Sequence, residues 1–197
     1  KAISPIMERG IRMWIRNTFN PDGPATRVLA DAETSNGGAK AVTVVKAHSL
    51  LALEGRGMLG VQGIAARTFA VAARTNASVT LIAQASSEQS ICFAVPQDYK
   101  QSVIAELERE FRHEFEWKHI DHVRSQDDIV IVTVVGAGMR QTPGIAGEVF
   151  SALGDRGLNV VAIAQGSSEC SISLVVAAAD ADDSVRAIHE LIISRRL

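Results

Sequence analysis

Cysteine is scarce in this chain: two residues, Cys92 and Cys170, in 197. That is too few for a disulfide-stapled scaffold, and the two sit at non-equivalent places in the repeat described below. They read as buried free thiols in a reducing compartment. Charge of one sign is missing too. The net charge is −2, the pI is near 6.2, and no basic stripe or polybasic run occurs. Nucleic acid and anionic membrane surfaces are therefore excluded as partners. The longest apolar stretch, Ile129 to Val135, is far short of a membrane span. No signal-peptide pattern precedes the first element and Lys1 is not a methionine, so the chain reads as a piece of a longer cytoplasmic protein. No Ser–His–acid or Cys–His pairing stands out, which leaves no candidate nucleophile and base. Trp14 and Trp117 are isolated aromatics, suited to packing. What is present is 47% hydrophobic residues, ordinary for a globular protein with room for one large core or two small ones.

An internal repeat organises that material. LIAQASSEQSI (Leu81 to Ile91) recurs as AIAQGSSECSI (Ala162 to Ile172), 81 residues on. The same offset maps Gly57-Met58 onto Gly138-Met139, Gly63-Ile64-Ala65 onto Gly144-Ile145-Ala146, and Phe69 onto Phe150, without a gap. A unit of about 80 residues is a small domain rather than a solenoid repeat.

In the first unit the pattern predicts a strand at Leu50 to Leu53, a glycine loop to Gly63, and a helix over Ile64 to Arg74. Strands follow at Val79 to Ala83 and Ser90 to Val95, where Pro96 stops the run. A helix over Tyr99 to Phe111 and a strand over Trp117 to Val123 complete βαββαβ, the ferredoxin-like order. The second unit reads as strand Ile129 to Val135, helix Gly144 to Asp155, strands Val160 to Ala164 and Ser171 to Ala177, and helix Asp182 to Ile193. It lacks a last strand. Ala41 to Lys46, ahead of the first unit, is a spare one and is expected to complete the second sheet. Before residue 41, Ser4-Pro5 starts a short helix that Gly10 ends, Ile11 to Arg16 alternates as a strand, and Asn17 to Thr26 and Ser35 to Gly38 are loop and linker.

Gly55-x-Gly57-x-x-Gly60 resembles a dinucleotide fingerprint. The second copy has Gln141 for the third glycine, the next strand ends in Gln84 rather than a carboxylate, and βαββαβ is not doubly wound. A glycine loop entering a helix also presents free N–H groups that suit a carboxylate, at Gly63-Ile64-Ala65 and at Gly144-Ile145-Ala146. Tight turns alone explain the same spacing equally well. Gln84 and Gln165 occupy equivalent strand ends and offer one acceptor and two donors each, either to a ligand or to their own hairpin. Ser86-Ser87-Glu88 and Ser167-Ser168-Glu169 read as turn-forming. His119-x-x-His122 with Asp121 invites a metal reading, but i and i+3 on a strand face opposite ways and the second unit has no counterpart.

The duplicated unit resembles the tandem ACT domains at the regulatory end of aspartokinases. Glu54-Gly55-x-Gly57-Met58, Gln84-Ala85-Ser86-Ser87-Glu88 and Ala164-Gln165-Gly166-Ser167-Ser168-Glu169 are similar to the bifunctional aspartokinase–homoserine dehydrogenases. Pro5-Ile6, Gly10-Ile11 and Asn17-Thr18-Phe19-Asn20-Pro21-x-x-Pro24-x-Thr26 look like the end of the kinase domain, with Ala25 where the family usually has glycine. The resemblance implies an α+β pair of ferredoxin-like domains with an interlocked strand. Residues 1–40 would be kinase tail and linker, 41–48 the strand completing the second ACT domain, 49–123 the first ACT domain and 124–197 the second. It implies an allosteric role, feedback inhibition of aspartate phosphorylation, with threonine as effector in preference to lysine. The effector residues it implies in the first unit are Met58, Gly63, Ile64, Ala65 and Gln84, with Ser78, Val79 and Thr80. In the second they are Met139, Gly144, Ile145, Ala146, Asn159 and Gln165. Lysine-sensitive relatives place an aspartate where this chain has Thr80. ATP and Mg would belong to the kinase domain, leaving this region non-catalytic, without cofactor or metal. The partners implied are the amino-acid effector, the chain's own catalytic domain and a second copy in a homodimer. A dimerisation module with vestigial pockets is the alternative.

Overall fold

The computed structural model describes residues 3–28 and 38–194, so the expected linker at Ser35 to Gly37 lies outside the described residues. Two compact units divide the chain, residues 1–36 and 37–197. The first holds α1 (Ile3–Glu8) and an antiparallel ribbon of β1 (Met13–Ile15) with β2 (Thr26–Val28). Gly10 takes φ +65° after the helix, and Ile11 N–H donates to the Ile6 carbonyl at 3.1 Å. The strand read at Ile11 to Arg16 is shorter than expected, and its partner β2 was not expected, because three residues carry too little alternation to read.

In the second unit the elements run β3 (Ala41–Glu54), α2 (Ile64–Arg74), β4 (Leu81–Gln84), β5 (Ser90–Pro96), α3 (Lys100–Glu110) and α4 (Arg112–Glu116). They continue with β6 (His122–Val135), α5 (Ile145–Gly154), β7 (Ala162–Gln165), β8 (Ser171–Ala177) and α6 (Ala181–Ser194). The strands form one antiparallel sheet in the order β4-β5-β3-β6-β8-β7. β3 and β6 each have 14 residues and serve both repeats. Leu50 to Glu54 of β3 pairs with β5 and with His122 to Gln126 of β6, while Ala41 to Val45 pairs with Ile131 to Val135. Each half is thereby a four-stranded ferredoxin-like sheet, and the strand ahead of the first repeat is interlocked into the second.

Two strands expected in front of Glu54 are one strand. Ala47 has φ +58°, and the register to β6 shifts between Val45 and His48 and again between His48 and Leu50. A bulge of this kind inserts a residue and reverses the in–out alternation, which breaks the sequence pattern in two. His48 Nδ1 donates to the Lys46 carbonyl at 2.9 Å across the bulge. Asp128, also at positive φ, marks the matching bend in β6. The strand expected at Trp117 to Val123 begins only at His122. Arg112–Glu116 is helical and Trp117 to Asp121 turns back, with the Asp121 N–H donating to the Glu54 carbonyl at 2.8 Å.

Helices cover one face of each half. α2 buries Ile64, Thr68, Val71 and Ala72, one stripe at i, i+4, i+7 and i+8, against Leu51, Leu53, Phe93, Val103 and Leu107. α5 and α6 pack likewise on Val130, Val132, Val134, Leu174 and Val176. Each fully buried aliphatic chain stabilises by about 1.5–3 kcal/mol. On the helix-free side, Leu50, Leu81 and Ala94 form a third cluster with Ile129, Ile131 and Val175. The edge strands β4 and β7 approach each other there, so the sheet folds over on itself at the two bulges. No described helix is long and apolar enough to cross a membrane.

Arg67 ties α2 to the α3–α4 corner. Its Nε donates to Glu110 Oε1 at 2.9 Å, its Nη2 to the Glu110 carbonyl at 2.7 Å and its Nη1 to Glu114, while its Cζ lies 4.5 Å above the Phe111 ring. The hydrogen bonds from Arg67 hold the Glu110 and Glu114 carboxyls below the usual carboxylate range. The second repeat carries Glu148 at that position.

Two predictions follow from this packing. A Cβ on Gly55 would stand 2.2 Å from the His119 carbonyl oxygen and 2.6 Å from Ile120 Cα, both backbone. Gly55→Ala should cost about 2–4 kcal/mol in urea unfolding, against about 1 kcal/mol for Gly60→Ala, which meets nothing within 4 Å but sits at φ +75°. Equal losses would contradict the close approach. The Arg67 network fixes a pH dependence. A carboxyl depressed in the folded state adds stability above its unfolded pKa, near ~4.3, which is lost as pH falls through the folded value. The melting-temperature gap between wild type and Arg67→Met should be widest at neutral pH and narrow below about pH 4; a gap that widens in acid would refute it.

Candidate functional site

Two clefts of like construction open where the glycine loop of each repeat enters its first long helix. The first, about 410 Å3, has Met58, Ile64 and Ile91 as its apolar floor, all at least nine-tenths buried. The second, about 340 Å3, has Met139, Ile145 and Ile172 in the same places. Gly63-Ala65 and Gln84 also line the first; Gly144-Ala146 and Gln165 also line the second. Every lining residue of one cleft corresponds to a lining residue of the other at the offset of 81. Both repeats therefore keep the same cleft.

The helix ends have a common geometry. Gly63 and Gly144 cap α2 and α5 at φ +87° and +91°, and neither cap supplies a side-chain acceptor. Each carbonyl accepts the first helical hydrogen bond, from Arg67 N–H and Glu148 N–H, both at 3.0 Å. The N–H groups of the first turn, Ile64-Ala65 and Ile145-Ala146, thus front their clefts without a capping side chain, and with the helix dipole they make the electropositive end. The glycine loop is itself fixed from behind. Gly55 and Gly57 pass too close to the backbone of residues 118–120 to carry a Cβ, and Gly136 passes as close to Gly38-Ala39. Turn geometry and close approach thus account for these glycines without any phosphate ligand.

Four implied residues lie elsewhere. Ser78, Val79 and Thr80 precede β4, whose other end carries Gln84, roughly 13 Å away at strand rise. Val79 packs against the first core, and Thr80 Oγ1 donates to the Ala94 carbonyl at 3.2 Å. Asn159 is exposed in the equivalent stretch before β7. The cause is topological: the chain leaves the cleft along the helix, turns at its far end, and returns only by the last residue of the strand. Within one chain these four do not line the clefts.

Sequence reading passed over Glu88 and Glu169. Both line the clefts from the hairpin side at φ +55°. The Gly60 N–H donates to Glu88 Oε2 at 3.2 Å and the Gln141 N–H to Glu169 Oε2 at 2.8 Å. The signal was available in the repeated Ser-Ser-Glu, which reads equally as a turn. Among the described residues, no lysine, arginine or histidine lines either cleft. The residues of the metal motif separate: His119 lies on the turn beside Trp117, with ring centroids 6.0 Å apart, and His122 Nε2 is 2.8 Å from Glu54 Oε2.

The ACT domain profile matches residues 51–111 and 132–191. The bifunctional aspartokinase/homoserine dehydrogenase of Haemophilus influenzae is 36% identical over all of this chain and 24% of its own length. The chain thus spans about a quarter of that curated relative. Among solved structures, the ligand-free regulatory subunit of aspartate kinase from Thermus thermophilus is 28% identical with a TM-score of 0.65, covering 77% of this chain and 97% of its own. E. coli aspartokinase III in complex with lysine and aspartate superposes with a TM-score of 0.75 at 23% identity, over 96% of this chain and 41% of its own. With two copies of the fold, two matched segments and relatives of this kind along its length, the chain belongs to the ACT domain family, as a tandem pair similar to the regulatory regions of aspartokinases.

Proposed function

We propose that this chain is the feedback sensor of an aspartate kinase, binding an end-product amino acid, threonine in preference to lysine, in its two equivalent clefts. The observation that carries the reading is their residue-for-residue correspondence across the 81-residue repeat. The uncapped helix ends receive the ligand carboxylate. Gln84 and Gln165 face a short polar side chain, and Met58 and Met139 the apolar side. Phosphorylation of aspartate, with its ATP and Mg, is assigned to a kinase portion outside residues 38–194, and the setting to the cytoplasm, in keeping with the free thiols Cys92 and Cys170.

A homodimer fits the same reading. β4 and β7 are the sheet edges and expose Ile82 (48%) and Ile163 (46%). A second copy laid antiparallel along β4 about Ile82 sets its Thr80 opposite Gln84, which returns Ser78, Val79 and Thr80 to the cleft mouth across the dimer. Light scattering should give a dimer mass at micromolar concentration, and Ile82→Lys should lower it; a wild-type monomer would remove this arrangement.

Calorimetry tests the effector. Gln84→Ala should weaken threonine binding by about 1–3 kcal/mol, or roughly 5- to 150-fold, by the loss of a pair of hydrogen bonds. Gln165→Ala should do the same at the second cleft, and both variants should stay folded because the glutamines end exposed strands. Tight lysine binding with no response to threonine would replace the effector. Binding of neither would leave a dimerisation module.

A further inference from the structure

The carboxylates of Glu88 and Glu169 do more than shape a hairpin. Each reaches across its cleft from the β4–β5 or β7–β8 turn to the loop ahead of the helix, where one oxygen accepts a backbone N–H. A carboxylate has about four acceptor positions, and the recorded bond uses one of them. Among the described residues, each is the sole ionisable side chain lining its cleft. The uncapped N-terminus of α2 or α5 lines the same cleft. Each cleft therefore sets one carboxylate and one electropositive helix end around an apolar floor.

That polarity fits one class of small molecule, the zwitterion of an α-amino acid. A dicarboxylate would set its second anion against the glutamate, and a simple carboxylic acid would leave the glutamate without a cation. We propose that Glu88 and Glu169 are specificity residues, the partners of the ligand ammonium in the first and second clefts, and that the loop N–H they also bind holds them in place for it. The inference rests on the amino-acid-sensing reading above and adds the group that makes the clefts select amines.

The two repeats supply a built-in comparison. At the loop position that the glutamate holds, the first has Gly60 and the second Gln141, a non-glycine residue at φ +55°. The side chain changes while the carboxylate-to-N–H bond is kept, so what recurs is the placement of the charge.

The test is isothermal titration of the full chain with threonine and with its deaminated counterpart, in which a hydroxyl replaces the ammonium. Glu88→Gln and Glu169→Gln keep an acceptor for the loop N–H and remove only the charge. Each is expected to weaken threonine at its own cleft by about 10-fold or more, on the scale of one charge-assisted hydrogen bond. The deaminated acid should bind wild type more weakly than threonine does, and its affinity should be the same in wild type and in the glutamine variants. Threonine affinity unchanged in both variants, or equal losses for both ligands, would overturn the assignment while leaving amino-acid sensing in place. Wild type that binds no amino acid, with Gln84→Ala and Gln165→Ala equally silent, would overturn both. Circular dichroism and the unfolding midpoint confirm that the variants stay folded.

Discussion

The pairing of β3 with β6 is the constraint on which the second unit's architecture rests. Each strand runs 14 residues, and each is the central strand of one repeat and the last strand of the other. Neither four-stranded sheet is complete without residues that the chain spends mainly on the other. Burial follows that division. β3 is mostly buried from His48 onward and largely exposed before it, and β6 is mostly buried from Ile129 to Val134 and exposed from Arg124 to Asp128. Bulges at Ala47 and Asp128 let one pair of strands turn the corner between two packed sheets.

The clefts inherit their positions from this frame. Gly55 and Gly136 directly follow the two shared strands, and each is packed against the backbone segment that leads into the other shared strand, residues 119–120 for Gly55 and 38–40 for Gly136. The glycine loops therefore cannot shift without disturbing the entry to a strand that both repeats use. Under the proposed function, a ligand at the helix end and the hairpin would have the mechanical connection to the whole sheet that a sensor requires.

Much of this was legible in the residues. The 81-residue repeat gave the duplication, and the helix over Ile64–Arg74 and strand over Ser171–Ala177 fall where the apolar spacing put them. The interlocked strand was readable because the second repeat is one strand short. Fusion of the strands was not, since a bulge reverses alternation and the stretch Ser125 to Asp128 is polar. There Asp127 serves a local purpose instead, accepting from Ser49 Oγ at 2.7 Å and from Lys100 Nζ at 2.6 Å. Of the residues that line the clefts, those at the helix ends and the two glutamines were legible in the repeat. Glu88 and Glu169 were hidden, because a glutamate in a turn signals solvent exposure and only three dimensions bring its carboxylate onto the loop ahead of a helix. Ser78, Val79, Thr80 and Asn159 came from family likeness, and a single chain keeps them at the far end of the edge strands.

Hydrogen exchange with and without threonine measures the central claim most directly, because it reads both clefts and the rest of the sheet at once. The account predicts slowed exchange in residues 58–66 and 84–91 and in residues 139–147 and 165–172, the walls of the two clefts. Protection confined to the separate cavity on the helix-free side, bounded by Leu50, Ala52, Cys92 and Val161, or no change anywhere, would contradict it.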